Sequence, residues 1–174
     1  MLILSPPQGL VNEAGFQAFS KEVTILATAE HENIVSFIGY SLEPTLLIVM
    51  EFVEGGTLSD FLAAQDPLNP PSWKALVQIL LGSAKAFRYL HASEPLPILH
   101  RDIKSENILV TKSFQPRVAD LGEARSLAEN ATMTMVGTQL YTAPEVLKGL
   151  HYGTPADVFS FAIVMSEVVT LQVS

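Results

Sequence analysis

The densest polar chemistry in the chain lies in eight consecutive residues, His100-Arg101-Asp102-Ile103-Lys104-Ser105-Glu106-Asn107. They bring a cation, a carboxylate, a second cation and an amide together, the ingredients of hydrogen-bonding and charge-neutralising chemistry. Ile98-Leu99 precedes them and Ile108-Leu109-Val110 follows, so the pattern predicts a polar loop between two short buried strands. The loop contains neither Gly nor Pro, unlike an ordinary surface turn. Polar loops on rigid scaffolds are frequent places for catalysis.

The elements that must hold this loop can be read in order. Residues 1–11, with Pro6, Pro7 and Gly9, read as an irregular lead-in. Phe16, Phe19, Val23 and Leu26 then recur at helical spacing, with Asn12 as N-cap. Glu22 falls among them, and pattern alone favours a solvated glutamate. Strand-like runs cover 34–40 and 45–53. After Gly55-Gly56, Thr57 and Asp60 resemble a capping box opening a short helix. Ser72 caps a long helix to about His91, whose apolar face is Trp73, Leu76, Val77, Leu80, Ala84, Phe87 and Leu90. Gly82 in its middle is a cost unless close packing needs it.

Beyond the polar loop, Arg117-Val118-Ala119 forms a short strand running into Asp120-Leu121-Gly122. Residues 123–136 lack any period and read as a long mobile loop. Thr154 as N-cap and Pro155 at the first turn start a last helix. That helix is apolar on nearly every side, which predicts burial.

Composition narrows the function classes. The 174 residues are 48% hydrophobic and only 16% charged, enough for one domain with a substantial core. Ten Lys+Arg against eighteen Asp+Glu, a net charge of −8, argue against a nucleic-acid partner. No apolar stretch is long enough to insert into a membrane. The absence of cysteine and of a targeting segment fits a cytoplasmic protein.

Glu22, the 100–107 loop, Asp120-Leu121-Gly122 and Ala143-Pro144-Glu145 stand in an order that resembles the eukaryotic protein kinase domain over nearly the whole chain. Each short match alone is weak; the ordered set is specific. The resemblance implies an incomplete two-lobed α+β fold. A partial N-lobe and hinge would occupy 12–53 and a partial, mostly helical C-lobe 54–174. It implies ATP and Mg²⁺ as cofactors and a protein substrate. Asp102 would accept or orient the proton of a substrate hydroxyl, and Lys104 would neutralise charge on the transferring phosphate. Asn107 and Asp120 would hold the metal through oxygen atoms.

On the nucleotide side, Glu22 would be the helix glutamate that pairs with an ATP-binding lysine. Met50 would be the gatekeeper, Glu51 through Val53 the hinge, and Leu109 the floor of the adenine pocket. Asp157 would brace the catalytic loop and His100 would be structural. Lys104, with Gly137-Thr138 before Tyr141, looks like a serine/threonine kinase, and the overall style like the tyrosine kinase-like group. Arg101 beside Asp102 suggests regulation by phosphorylation of the activation segment, where Thr132, Thr134 and Thr138 lie.

The sequence departs from the family's pattern in three ways. No Gly-x-Gly-x-x-Gly is present and the first Lys or Arg is Lys21, so a truncated N-lobe without the ATP-pairing lysine is expected. No arginine follows Arg125, so Glu145 is expected to be an uncompensated buried carboxylate. With few residues after the last helix, its apolar surface is expected to be exposed and to suit a protein partner. Leu121 replaces the usual Phe and should still pack near Leu26 and Phe37. Two functions follow: a serine/threonine kinase, as a fragment of reduced activity, or a kinase-like scaffold or binding module without turnover.

Overall fold

The computed structural model describes residues 2–4, 13–66, 68–126, 139–150 and 152–173. Strands β1 (Leu2–Leu4), β2 (Phe37–Ser41) and β3 (Leu47–Met50) form an antiparallel sheet in the order β1-β3-β2. Leu2–Leu4, expected as part of an irregular lead-in, therefore pair with β3, with Ile3 opposite Val49. The central strand alternates as a half-buried strand should, sending Ile48 and Met50 into the core.

Helix α1 (Glu13–Thr28) lies against β2, with the Phe19 ring edge-on to Tyr40 at 6.2 Å. Phe19, Ile25 and Leu26 are buried, whereas Phe16, assigned to the apolar face, is exposed. Asn12, assigned as the N-cap, lies outside the described residues.

Thr57 caps α2 (Leu58–Ala63): its Oγ1 accepts from the Asp60 N–H at 3.0 Å and donates to the Asp60 carboxylate at 2.7 Å. Ser72 Oγ accepts from the Ala75 N–H and opens α3 (Trp73–His91). The buried face of α3 is Ala75, Leu76, Ile79, Gly82, Ser83, Ala86, Phe87 and Leu90. Trp73 is 61% exposed and Val77 is also exposed, because the face is turned by about one position from the one read from the sequence. Gly82 is where strand β6 (Pro116–Val118) crosses. A Cβ there would lie 2.5 Å from Pro116 Cγ and 2.9 Å from Asn33 Nδ2, so close packing does require glycine.

Two small antiparallel pairs carry the polar loop. β4 (Ile98–Leu99) pairs with β7 (Arg125–Ser126), and β5 (Ile108–Val110) with β6 (Pro116–Val118). The first pairing places ordered strand at the start of the stretch read as a long mobile loop; residues 127–138 lie outside the described ones.

Helix α4 (Pro144–Leu147) and helix α5 (Thr154–Thr170) complete the fold. Gly153, not Thr154, is the N-cap of α5, with Pro155 in the first turn and no side-chain capping bond. The helix is not buried all round. Ala156, Asp157, Ser160, Val164, Glu167 and Val168 face inward, while Val158 and Val169 are 61% and 56% exposed. Glu145 is half-buried in the first turn of α4, so its desolvation is smaller than the full burial expected of it. One core joins α1, the sheet, α3, β5, β6 and α5, and Leu26, Phe37 and Leu121 belong to it as anticipated.

Candidate active site

The polar loop leaves β4 through His100 and Arg101, and both are fixed by one carboxylate. Asp157, fully buried on α5, accepts from the His100 N–H at 2.9 Å and the Arg101 N–H at 3.0 Å. It also bonds His91 Nε2 at 2.7 Å and accepts from the Tyr152 hydroxyl at 2.8 Å. Burial pushes the Asp157 pKa up. The His91 bond and the two loop N–H groups outweigh burial and hold it below its ordinary value. These bonds anchor Arg101 in the left-handed region, φ 71°, a conformation that costs a non-glycine residue and that the surroundings must enforce.

His100 is fully buried. Its Nδ1 accepts from the Asp102 N–H at 3.4 Å, so Nε2 carries the proton and donates to the Ala119 carbonyl at 3.2 Å. Its ring meets Phe87 edge-on at 5.8 Å. This histidine is a buried bridge between the loop and the strand leading to Asp120.

Asp102, Lys104 and Asn107 converge on each other. Lys104 Nζ stands 2.8 Å from Asp102 Oδ2. Asn107 Nδ2 donates to the same Oδ2 at 2.8 Å and to the Asp102 carbonyl at 2.8 Å. Both recorded side-chain partners use Oδ2, so Oδ1 is the oxygen left for an incoming hydroxyl. With its amide nitrogen committed to Asp102, Asn107 has Oδ1 as its remaining side-chain donor to a cation.

The Asn107 carbonyl accepts from the Ala119 N–H at 2.9 Å, which brings Asp120 close by, two residues past Val118. Asp120 is exposed, sits at φ 58° and accepts weakly from the Gly122 N–H at 3.4 Å. A carboxylate and an amide oxygen form a hard donor set. It fits Mg²⁺, which takes few protein ligands and completes its shell with water and phosphate oxygens.

On the nucleotide side, Met50 and Val53 are buried and Leu109 is half-buried on β5. Glu51 differs from a simple lining residue. Its Oε1 accepts from the Ser36 N–H at 2.9 Å and from Arg117 Nε at 3.1 Å, and Arg117 also donates to the Glu32 carbonyl. Arg117 is the register partner of Leu109, so one arginine ties the expected hinge to the expected pocket floor. The Glu51 side chain is thus an anchor, and its backbone N–H is also taken, by the Ser36 carbonyl at 2.9 Å.

Glu22 is not a solvated glutamate. It is half-buried beside Gly122, where an added Cβ would lie 3.6 Å from the Glu22 carboxyl. Burial first, then the charges of Asp120 and Glu123, raise its pKa above the ordinary value. One residue earlier, burial and then the charges of Arg125 and Arg101 lower the Lys21 pKa. Lys21, Arg101 and Arg125 are therefore close enough to feel one another's charge. Thr132, Thr134 and Thr138 lie outside the described residues.

Sequence reading missed His91, Tyr152 and Arg117. Each is an ordinary residue on a helix, a turn or a strand, and only its partner gives it a role. Arg101 also stacks its guanidinium over Tyr152 at 5.6 Å.

Comparison with known proteins agrees with this geometry. The family model described as Protein kinase domain matches residues 9–173. R831 of Acanthamoeba polyphaga mimivirus, named as a serine/threonine-protein kinase/receptor, is 42% identical over 161 residues. That match covers 92% of this chain and 10% of the viral protein. The Probable serine/threonine-protein kinase drkA of Dictyostelium discoideum is 36% identical over 167 residues, 95% of this chain and 26% of that protein. Cysteine-rich receptor-like protein kinase 1 of Arabidopsis thaliana is 35% identical over 156 residues, 87% of this chain and 25% of its own length. The chain thus spans about a quarter or less of these relatives. With the matched region covering nearly all of it, and with the Asp102 loop held by Asp157 beside Asp120, the chain belongs to the protein kinase domain family.

Proposed function

We propose that this chain carries the phosphoryl-transfer site of a protein serine/threonine kinase, moving the γ-phosphate of ATP to a protein hydroxyl. The observation that carries the reading is the grip on Asp102. Lys104 and Asn107 both hold Oδ2 at 2.8 Å, which leaves Oδ1 to accept the hydrogen bond of a substrate hydroxyl. As the oxygen–phosphorus bond forms and the bond to the leaving diphosphate breaks, Asp102 takes the hydroxyl proton. Lys104, already beside Oδ2, neutralises charge on the moving phosphoryl group. A magnesium ion on Asp120 and the Asn107 amide oxygen would supply charge neutralisation at the ATP phosphates. The backbone from Glu51 to Val53 would meet the adenine, above Leu109.

Finer features belong to the same reading. Lys104 and the 137–138 Gly-Thr pair support serine/threonine specificity and membership of the tyrosine kinase-like group. Lys21, Arg101 and Arg125 would pair a phosphate on the activation segment, with Thr132 and Thr134 as acceptors. Exposed Val158, Met165 and Val169 on α5 would suit a protein partner. Absence of cysteine supports a cytoplasmic setting. No helix among the described residues is long and apolar enough to cross a membrane.

One observation favours a second reading, a kinase-like binding module. The charges that act most on Glu22 are those of Asp120 and Glu123, both acidic. Weak Mg-ATP binding and low turnover by this chain alone are the expected result. Transfer of labelled γ-phosphate to a generic protein substrate, with Asp102→Asn as control, separates the two. Turnover abolished by that substitution sinks the binding-module reading, and undetectable turnover at saturating Mg-ATP sinks the enzyme.

A further inference from the structure

The outer sides of α3 and α5 form a face that the transfer site does not use. On α3, Val77, Leu81, Ala84 and Arg88 are exposed. On α5, Val158, Ala162, Met165 and Val169 are exposed. Both sets step by four, three and four residues, the spacing of a seam that packs against another helix. Only Arg88 among them is polar, whereas the outward face of a surface helix is ordinarily polar.

The two seams meet at a cleft of about 400 Å³. Ala84 and Arg88 line it from α3, and Val158 and Phe161 from α5. Phe87 is its buried floor, with the Phe161 ring edge-on to it at 5.2 Å. A groove between two helices receives the apolar side of a third. Asp157, the acid at the cleft, is fully buried and already bonded to His91, His100, Arg101 and Tyr152.

Charge selects which helix. Residues 73–91 hold Lys74, Lys85 and Arg88, all exposed, and no Asp or Glu. These are three of the ten Lys and Arg in a chain of net charge −8. The acids of α5, Asp157 and Glu167, are both buried. The face is therefore apolar along its centre, basic on its α3 side and without an exposed acid on either helix. Lys85 lies 3.6 Å from Glu32, an exposed pair that contributes little. A second copy of this chain would bring the same face, with no acid to meet Lys85 and Arg88.

We propose that the α3–α5 face docks an amphipathic helix of a partner protein, apolar on the side entering the cleft and acidic along the edge that meets Lys85 and Arg88. The inference rests on the protein-partner reading of α5 above and names that partner's chemistry; it does not depend on phosphoryl transfer. The apolar side drives the contact, and the charges choose the partner and its direction. From Val77 to Arg88 the seam runs about 16 Å at ~1.5 Å per residue, so the partner segment spans roughly three turns.

Fluorescence anisotropy with two labelled synthetic helices tests the face on the 174-residue chain. Both are about four turns long, with Leu at the seam positions and either Glu or Lys at the flanking ones. The Glu peptide is expected to bind at least about tenfold more tightly than the Lys peptide, and to weaken as salt is added. Lys85→Glu with Arg88→Glu should reverse that order. Leu81→Ser with Val158→Ser should weaken the Glu peptide about tenfold at an unchanged circular dichroism spectrum. Equal binding of both peptides, or tighter binding of the Lys peptide, overturns the acidic partner and leaves the partner reading of α5 standing. No binding of either overturns both. Binding insensitive to the Leu81 and Val158 substitutions places the peptide elsewhere and overturns the proposal as well. So does a dimer of the chain, seen by sedimentation velocity, that the Glu peptide displaces, since the second copy is then the occupant.

Discussion

Lys104 and Asn107 both bond Asp102 Oδ2, and in the proposed reaction that asymmetry leaves Oδ1 for the substrate hydroxyl. Asp102→Asn preserves size but removes the charge and the proton acceptor. Turnover should fall by about 10²–10⁴-fold, read from steady-state phosphate transfer with the Tm essentially unchanged. Glu22 makes a different prediction at this scale. Its folded pKa lies above the ordinary 4.5. Below the unfolded value both states are protonated and nothing is lost. As pH rises through the folded pKa, the folded state must release a proton it holds more tightly than the unfolded chain does, so stability falls. Glu22→Gln should therefore raise the Tm at pH 7.5, with the gain shrinking toward pH 4. A gain that is the same at both pH values would count against the burial and the acidic neighbours as its cause.

Individual residues of the site were largely legible in the sequence, since Asp102, Lys104, Asn107 and Asp120 announce themselves by type and order. Glu22 was not, because spacing along α1 cannot say what the helix faces. Its setting is supplied by Asp120 and Gly122, about a hundred positions later in the chain. Glu51 was legible as a position but not as a role: the carboxylate is occupied by Ser36 and Arg117, a distant pairing with no local signature.

Among the elements, α3 shows how tertiary contact overrides a periodic pattern. Its length and Ser72 cap followed from local chemistry, but its buried face was displaced because apolar residues surround much of the helix. Pro116 and Asn33 press against Gly82. Gly82→Ala should gain about 1 kcal/mol of helix propensity and lose about 1–3 kcal/mol to overpacking against a rigid proline ring. The net expectation is a lower urea midpoint with an unchanged m-value. A stabilised variant would mean that β6 can retreat from α3. Gly55 is under similar constraint, because a Cβ there would lie 2.0 Å from the Val110 carbonyl oxygen.

For the whole molecule, α5 is the shared support. Through Asp157 it holds α3 at His91, the loop at His100 and Arg101, and the approach to the helix at Tyr152. Asp157→Ala leaves these donors without their acceptor. Breaking a buried charge network of this kind costs about 3–5 kcal/mol, a large share of the ~5–15 kcal/mol that keeps a domain folded. Denaturant titration should show a marginal or unfolded chain at pH 7. The folded pKa of Asp157 lies below the ordinary 3.8. The stability it contributes is therefore full above that value and lost as pH falls through the lower folded one. A chain in which Asp157 is neutral should lack this last step of acid unfolding.

The sequence by itself determined the family resemblance, the long helices, the helix caps at Thr57 and Ser72, and the polar loop from His100 to Asn107. All of these rest on residue type and short-range spacing, which a linear chain displays directly. Only the tertiary structure decided what gives those residues their environment. It set Glu22 beside two acids, Arg117 between hinge and floor, and His91 and Tyr152 on Asp157. Apart from Tyr152, five residues before Asp157, these partners are far apart in sequence. Hydrogen bonding and desolvation act over a few ångströms, so their partners are chosen by packing and not by position along the chain.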